Sequence, residues 1–184
     1  MRQKHRIKND NLNKAAVLVP ILCKDGLYHI LFTKRSHHVA YHKGQVSFPG
    51  GMRHESDKDI LETAIRETSE EIGLQKQDIE ILGELDDHVT VSSRFVISPF
   101  VGFVPYPYDF VINQGEVAEL FYVPVSVLLQ LTDVIQEHQD INGQTFKTYT
   151  YSYDGRVIWG ATAGILHQLL DTWKALSGAQ DLNS

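Results

Sequence analysis

Apolar positions along the chain fall into short clusters with two different periods. Residues 15–23 form an uninterrupted apolar run of strand length, and residues 27–34 form a second segment rich in β-formers. Lys24-Asp25-Gly26 joins them, and Asp-Gly is a strong short-range hairpin signal. Residues 36–43 are polar and carry three histidines, His37, His38 and His42, so they read as a loop leading to a short strand over 45–48. From 57 to 72 the period changes to that of a helix. Leu61, Ile65 and Ile72 gather on one side and Glu67, Glu70 and Glu71 on the other, at about 100° per residue. Ser56 and Asp59 resemble a capping box at its start, and Gly73 fits the left-handed position that ends a helix.

Beyond this helix, strands are predicted over 79–85 and 95–104, separated by an acidic, Ser-rich connection. Residues 105–114 hold two prolines and read as a surface loop. A strand over 121–123 ends at Pro124, and a short helix follows over 125–131. Segments 145–153 and 156–158 flank Asp154-Gly155, a second hairpin signal, and 161–176 supplies a last amphipathic helix before a tail expected to fray. The mixture lacks a regular βαβ rhythm, which favours α+β over a doubly wound sheet. No repeat or linker is visible, so one domain is expected over 1–184, with a core over about 13–176.

Composition narrows the functional classes. A net charge of -6 gives no general electrostatic reason to bind nucleic acid or an anionic membrane, so a phosphate-rich ligand must find local cations. No run of eighteen apolar residues exists, and the basic N-terminus lacks an apolar signal core because Asn11, Asn13 and Lys14 interrupt it. Cys23 is the only cysteine, which excludes an internal disulfide and suits a reducing compartment. A cytoplasmic protein is expected.

The acidic side of the helix is an electrostatic problem. Like charges three and four residues apart destabilise a helix by roughly 0.2–0.5 kcal/mol per pair, so they require free solvation or a cation. Three glutamates alone suit a solvated face. Pro49-Gly50-Gly51 just upstream changes the balance, because glycine lets the backbone approach a ligand or metal closely. Hard cations such as Mg2+ or Mn2+ take a few carboxylates and leave room for water and phosphates.

Together these residues resemble the Nudix hydrolase signature G-x5-E-x7-R-E-U-x-E-E-x-G-U, where U is a bulky aliphatic residue. Gly51, Arg66, Glu67, Glu70, Glu71, Gly73 and Leu74 match it. Asp57 replaces the first Glu, eight residues rather than seven separate it from Arg66, and Thr68 occupies an aliphatic position. Upstream, LFTKRSHHVAYHKGQVSFPGG is similar to the extra motif of the coenzyme A pyrophosphatase branch, roughly LLTxRSxxLxxHxGxxxFPGG, through Thr33, Arg35, Ser36, His42, Gly44, Phe48, Pro49, Gly50 and Gly51. That branch also carries the longer spacer and the Asp. SSRFVISPFVG, EVAELFYVPVSVLL and IWGATAGIL extend the likeness over most of residues 15–170, with Arg94 where a glycine is common.

The resemblance implies an α/β/α sandwich with a mixed β-sheet and, when the enzyme is charged with metal, cleavage of a nucleoside diphosphate linked to another group. For coenzyme A the products are 3′,5′-ADP and 4′-phosphopantetheine. It further implies that Glu67, Glu70 and Glu71 hold Mg2+ or Mn2+, and that Arg66 orients a glutamate by a charge-assisted bond. The proton of the attacking water goes to Glu70, Glu71 or, from a late loop, Glu116; an exposed loop glutamate is the alternative for Glu116, and Glu119 is a weaker candidate. Lys34, Arg35, Ser36 and His42, with the backbone at Gly50 and Gly51, are the candidate substrate contacts, although solvent-exposed charge also accounts for Lys34. A homodimer is compatible with this family. Other nucleoside diphosphate derivatives (ADP-ribose, NADH, dinucleoside polyphosphates or nucleoside triphosphates) and a non-catalytic nucleotide-binding module are the alternatives.

Overall fold

A computed structural model describes residues 5–7, 11–39, 41–90, 94–131, 135–141 and 144–180. The apolar run becomes β1 (Asn13–Lys24), and its hairpin partner is β2 (Leu27–Arg35). Asp25 and Gly26 both take positive φ, 53° and 77°, as the tight two-residue connection requires. The short strands β3 (Val46–Ser47) and β4 (Gly50–Met52) follow, then α1 (Ile60–Ile72). A 3-10 turn over Lys76–Asp78 leads to β5 (Glu80–Glu84), β6 (His88–Thr90) and β7 (Phe95–Phe103). After the loop come β8 (Val117–Pro124) and α2 (Val125–Gln130). β9 (Ile135–Ile141), β10 (Gln144–Tyr153), β11 (Arg156–Trp159) and α3 (Gly160–Gln180) complete the fold.

The large sheet has the order β3-β2-β1-β7-β5, with β4 paired to β1, β6 to β7 and β8 to β2. β1 and β7 run parallel from Asn13 against Phe95 to Ile21 against Phe103, while the other pairings are antiparallel, so the sheet is mixed. β9, β10 and β11 form a separate antiparallel sheet.

β1 reads as continuous apolar sequence because both of its faces are covered. Ala16, Leu18 and Leu22 join Ala64 and Ile72 of α1 in one cluster; Val19 and Ile21 join Leu128 of α2 and Ile165, Leu166 and Leu169 of α3 in the other. Helices therefore lie on both sides of the large sheet, the α/β/α sandwich with a mixed β-sheet. No described helix is long and apolar enough to cross a membrane.

Several element boundaries differ from expectation. α1 begins at Ile60 rather than 57, with Asp59 as its cap accepting from the Glu62 amide at 2.8 Å. Asp57 is unavailable for the helix because its carboxylate is buried and bonded elsewhere. β8 extends back to Val117, and α3 runs on through 177–180 where fraying was expected; residues 181–184 of that tail lie outside the described residues. β4, β6 and β9 were not anticipated. β4 contains two glycines and one methionine, and only its pairing with β1 makes it a strand. β6 interrupts the acidic connection before β7, and Ile135–Ile141 is too polar for its alternation to register.

Candidate functional site

Gly50 and Gly51 bring three elements into contact. Gly50 has φ 154°, and a Cβ there would strike the carbonyl oxygen of Ala16 and lie 2.6 Å from Val17 Cα, so glycine is what allows β4 to lie against β1. At Gly51 a Cβ would fall 2.5 Å from the Glu67 carboxylate, which uses the vacant space. The Gly50 amide donates to Glu71 Oε2 at 3.3 Å. The two glycines thus seat a strand on the sheet and two helix carboxylates on that strand.

Arg66 is the hub of the acidic side. Its Nε donates to Asp57 Oδ1 at 2.8 Å and its Nη2 to Asp57 Oδ2 at 3.1 Å; Nη1 reaches Glu67 at 2.8 Å and Glu70 at 3.1 Å. Nη2 also donates to the Met52 carbonyl at 3.1 Å, tying the hub to β4. Asp57 additionally accepts from Thr63 Oγ1 and the His54 amide. These bonds, led by the one from Arg66, hold its carboxyl well below the usual range. In the sequence Asp57 is a departure from the general signature that the coenzyme A branch shares, with no role attached to it. Arg66 and Thr63, nine and six residues on, were the available signal for its role as anchor.

The acidic side is graded rather than uniformly solvated. The Glu70 side chain is 55% exposed, Glu67 13% and Glu71 only 4%. Burial pushes the Glu71 carboxyl up to about 8, with Arg35 and the Gly50 amide opposing and the charges of Glu67 and Glu116 adding to the rise. Burial also raises Glu67, against the bond from Arg66 and together with the charges of Glu70 and Glu116.

Among the described residues no three carboxylate, imidazole or thiol side chains converge closely enough to hold a metal ion as they stand. The donor chemistry nevertheless fits a hard divalent cation: the carboxylates of Glu67 and Glu71 are held together against their own repulsion, and Glu70 lies open to solvent beside them.

The late loop, residues 105–116, is fastened to the end of α1. Gly73 takes φ 72° and its amide bonds to the Ser69 carbonyl, closing the helix. Val111 N then donates to the Ile72 carbonyl at 3.1 Å, and Asn113 N to the Glu71 carbonyl at 2.9 Å. Glu116, half-buried, accepts from Asn113 Nδ2 at 3.1 Å, and its carbonyl accepts from the Ser36 amide at 2.7 Å. Asn113, which the sequence reading did not single out, therefore holds both ends of this arrangement.

Strand alternation sorts the basic residues. Along β2, Leu31 belongs to the cluster under α1 and Phe32 to the opposite one. Arg35 continues the first face, with Nη1 3.9 Å from Glu71 Oε1 and a buried Nε that has no hydrogen-bond partner among the described residues. Lys34 continues the other face, away from α1. Ser36 is buried and its hydroxyl accepts from the His38 amide. His42 is exposed at φ 58°, and its ring bonds locally to Gln45 Oε1 at 2.9 Å. Glu119 is engaged by Arg156. The structure thus assembles Arg35, Ser36, Gly50, Gly51, Arg66, Glu67, Glu70, Glu71 and Glu116, and leaves Lys34, His42 and Glu119 outside.

The NUDIX domain family matches residues 12–142. An uncharacterized Nudix hydrolase, NudL, from Photorhabdus laumondii is 40% identical over 161 residues, which cover 88% of this chain and 85% of the relative. Among solved structures, an Ap4A hydrolase from C. elegans in a binary complex is 20% identical over 66% of this chain and 87% of its own, with a TM-score of 0.53. A MutT/nudix family protein from Enterococcus faecalis is 14% identical over 87% of this chain and 61% of its own, with a TM-score of 0.60. At such identities the structural likeness speaks for the fold alone.

Proposed function

The chain belongs to the Nudix hydrolase family, and from that premise we propose that it hydrolyses the pyrophosphate bond of coenzyme A or its derivatives, giving 3′,5′-ADP and 4′-phosphopantetheine, with Mg2+ or Mn2+. The observation that carries this reading is the buried Glu71 carboxyl, raised to about 8 and set between Arg35 and the charges of Glu67 and Glu116. The match of Thr33, Arg35, Ser36 and Gly44 to the coenzyme A motif supports the substrate.

Family members generally use divalent metal ions. Glu67, Glu70 and Glu71 would hold the ion here; when bound, it supplies neutralisation of the pyrophosphate and a lowered pKa for the attacking water. Arg66, anchored on Asp57, steers Glu67 and Glu70 and has no donor left for substrate. Arg35, which faces Glu71 and whose buried Nε has no hydrogen-bond partner among the described residues, offers its Nη groups to a phosphate oxygen. Glu116 accepts the proton of the water as its oxygen attacks phosphorus. The bond from phosphorus to the bridging oxygen then breaks, and the second phosphate leaves as a monoester. Lys34, on the far face, has no part in this, and His42 lies at the outer rim of the loop.

The test is a panel of coenzyme A, ADP-ribose, NADH, dinucleoside polyphosphates and nucleoside triphosphates, with products identified by mass spectrometry. The expected result is metal-dependent turnover fastest on coenzyme A, with 3′,5′-ADP among the products. Faster cleavage of another panel member reassigns the substrate. Nucleotide binding without turnover of any would identify a binding module instead.

A further inference from the structure

The cations around the carboxylates are unequally committed. Arg66 is saturated by Asp57, Glu67, Glu70 and the Met52 carbonyl. Arg35 faces Glu71 from β2. Arg53 lies in the connection from β4 to α1, directly after Met52. Its backbone is pinned, since its amide donates to the Lys14 carbonyl at 2.9 Å. Its side chain is exposed, and its guanidinium makes one hydrogen bond among the described residues, from Nη2 to the Asp57 carbonyl at 3.3 Å. A guanidinium carries five N–H donors in a fixed planar fork. Arg53 therefore holds most of its fork open to solvent, beside the Asp57–Arg66 pair and one residue from the strand on which Glu67 rests.

A pyrophosphate over the carboxylates would be neutralised by the divalent ion and by Arg35. An anionic group elsewhere on the substrate has neither. It would sit next to Glu67, Glu70 and Glu71 with no compensation unless a further cation met it, and a fork with its donors free suits a phosphate monoester.

We propose that Arg53 is a specificity-determining residue that binds a phosphate monoester carried by the nucleotide outside the pyrophosphate, as on the 3′ position of the ribose. The inference rests on the coenzyme A reading of the site, and it assigns to this arginine the distinction between 3′-phosphorylated substrates and those lacking that group.

Two pairs of ligands differ in this one group: coenzyme A against 3′-dephosphocoenzyme A for turnover, and 3′,5′-ADP against AMP for binding by titration calorimetry. In the native protein the phosphorylated member of each pair is expected to be favoured about tenfold or more, the effect of a charge-assisted bond. Arg53→Gln should remove that preference while leaving kcat/KM for 3′-dephosphocoenzyme A within about twofold, and Arg53→Lys should restore part of it. A general structural defect would lower both members equally, so an equal loss overturns the proposal. So does a native protein that treats 3′,5′-ADP and AMP alike, or that binds neither. If coenzyme A is not turned over while Arg53 still separates 3′,5′-ADP from AMP, the substrate assignment falls and the phosphate site stands.

Discussion

The Glu71 carboxyl is nearly inaccessible and keeps its proton to about pH 8 in the folded protein, against 4.5 as its ordinary value. The folded state binds this proton more tightly than the unfolded chain. The stability it contributes is therefore complete below pH 4.5 and is lost as pH rises through about 8. Metal-free protein should thus melt at progressively lower temperature between pH 5 and pH 8, and Glu71→Gln should flatten that slope while lowering turnover by orders of magnitude. Calorimetry in chelator across this range checks it; an unchanged slope in the variant would assign the pH dependence to other groups. Mg2+ should raise the melting temperature more at pH 8 than at pH 5, because only an ionised carboxylate gains from it.

At the scale of elements, α1 and the late loop behave as one part. Gly73 ends the helix in the left-handed conformation, and a Cβ there would lie 2.8 Å from Val111 Cβ and 3.0 Å from its amide nitrogen. Gly73→Ala should cost roughly 1–2 kcal/mol in backbone strain alone. It should also push away the loop that delivers Glu116, lowering kcat more than the stability loss explains. Urea unfolding and kinetics on the same preparation separate the two effects; activity unchanged per folded molecule would mean that the loop tolerates the shift. This coupling marks where the sequence was legible. Gly73, both Asp-Gly turns and the opposed faces of α1 were readable because each is set by neighbours within a few residues. β4 was not, since two glycines become a strand only when β1 lies alongside. Nor was the start of α1, because the competition for Asp57 is decided by Arg66 from two turns into the helix. For the candidate site, periodicity gave the carboxylates together but not their graded burial, and alternation along β2 separated Lys34 from Arg35 only once the two clusters were known.

For the molecule as a whole, β11 and α3 lie past residue 142, where the family match ends, yet they grip the large sheet. Arg156 of β11 bonds to Glu119 of β8 and stands over the Phe121 ring at 4.6 Å, and Thr162 Oγ1 of α3 donates to the Val46 carbonyl of β3 at 3.3 Å. β8 begins one residue after Glu116, and β3 follows the loop that contains Ser36 and His42. Arg156→Ala should lower stability by about 1 kcal/mol, since the side chain is partly solvated, and should raise KM before it lowers kcat, because what it steadies is the frame of both loops. Thermal melts and steady-state kinetics test this; a fall in kcat alone would place its influence on the reacting groups instead. The parallel pairing of β1 with β7 has a further consequence, for biosynthesis. β1 is made before the strand that covers its open edge, Phe95–Phe103, so a nascent chain must carry an apolar strand unmatched on one side while α1 and everything between is still being made. The edge of β1 that faces β7 thus stays open to other strands until Phe103 has been made.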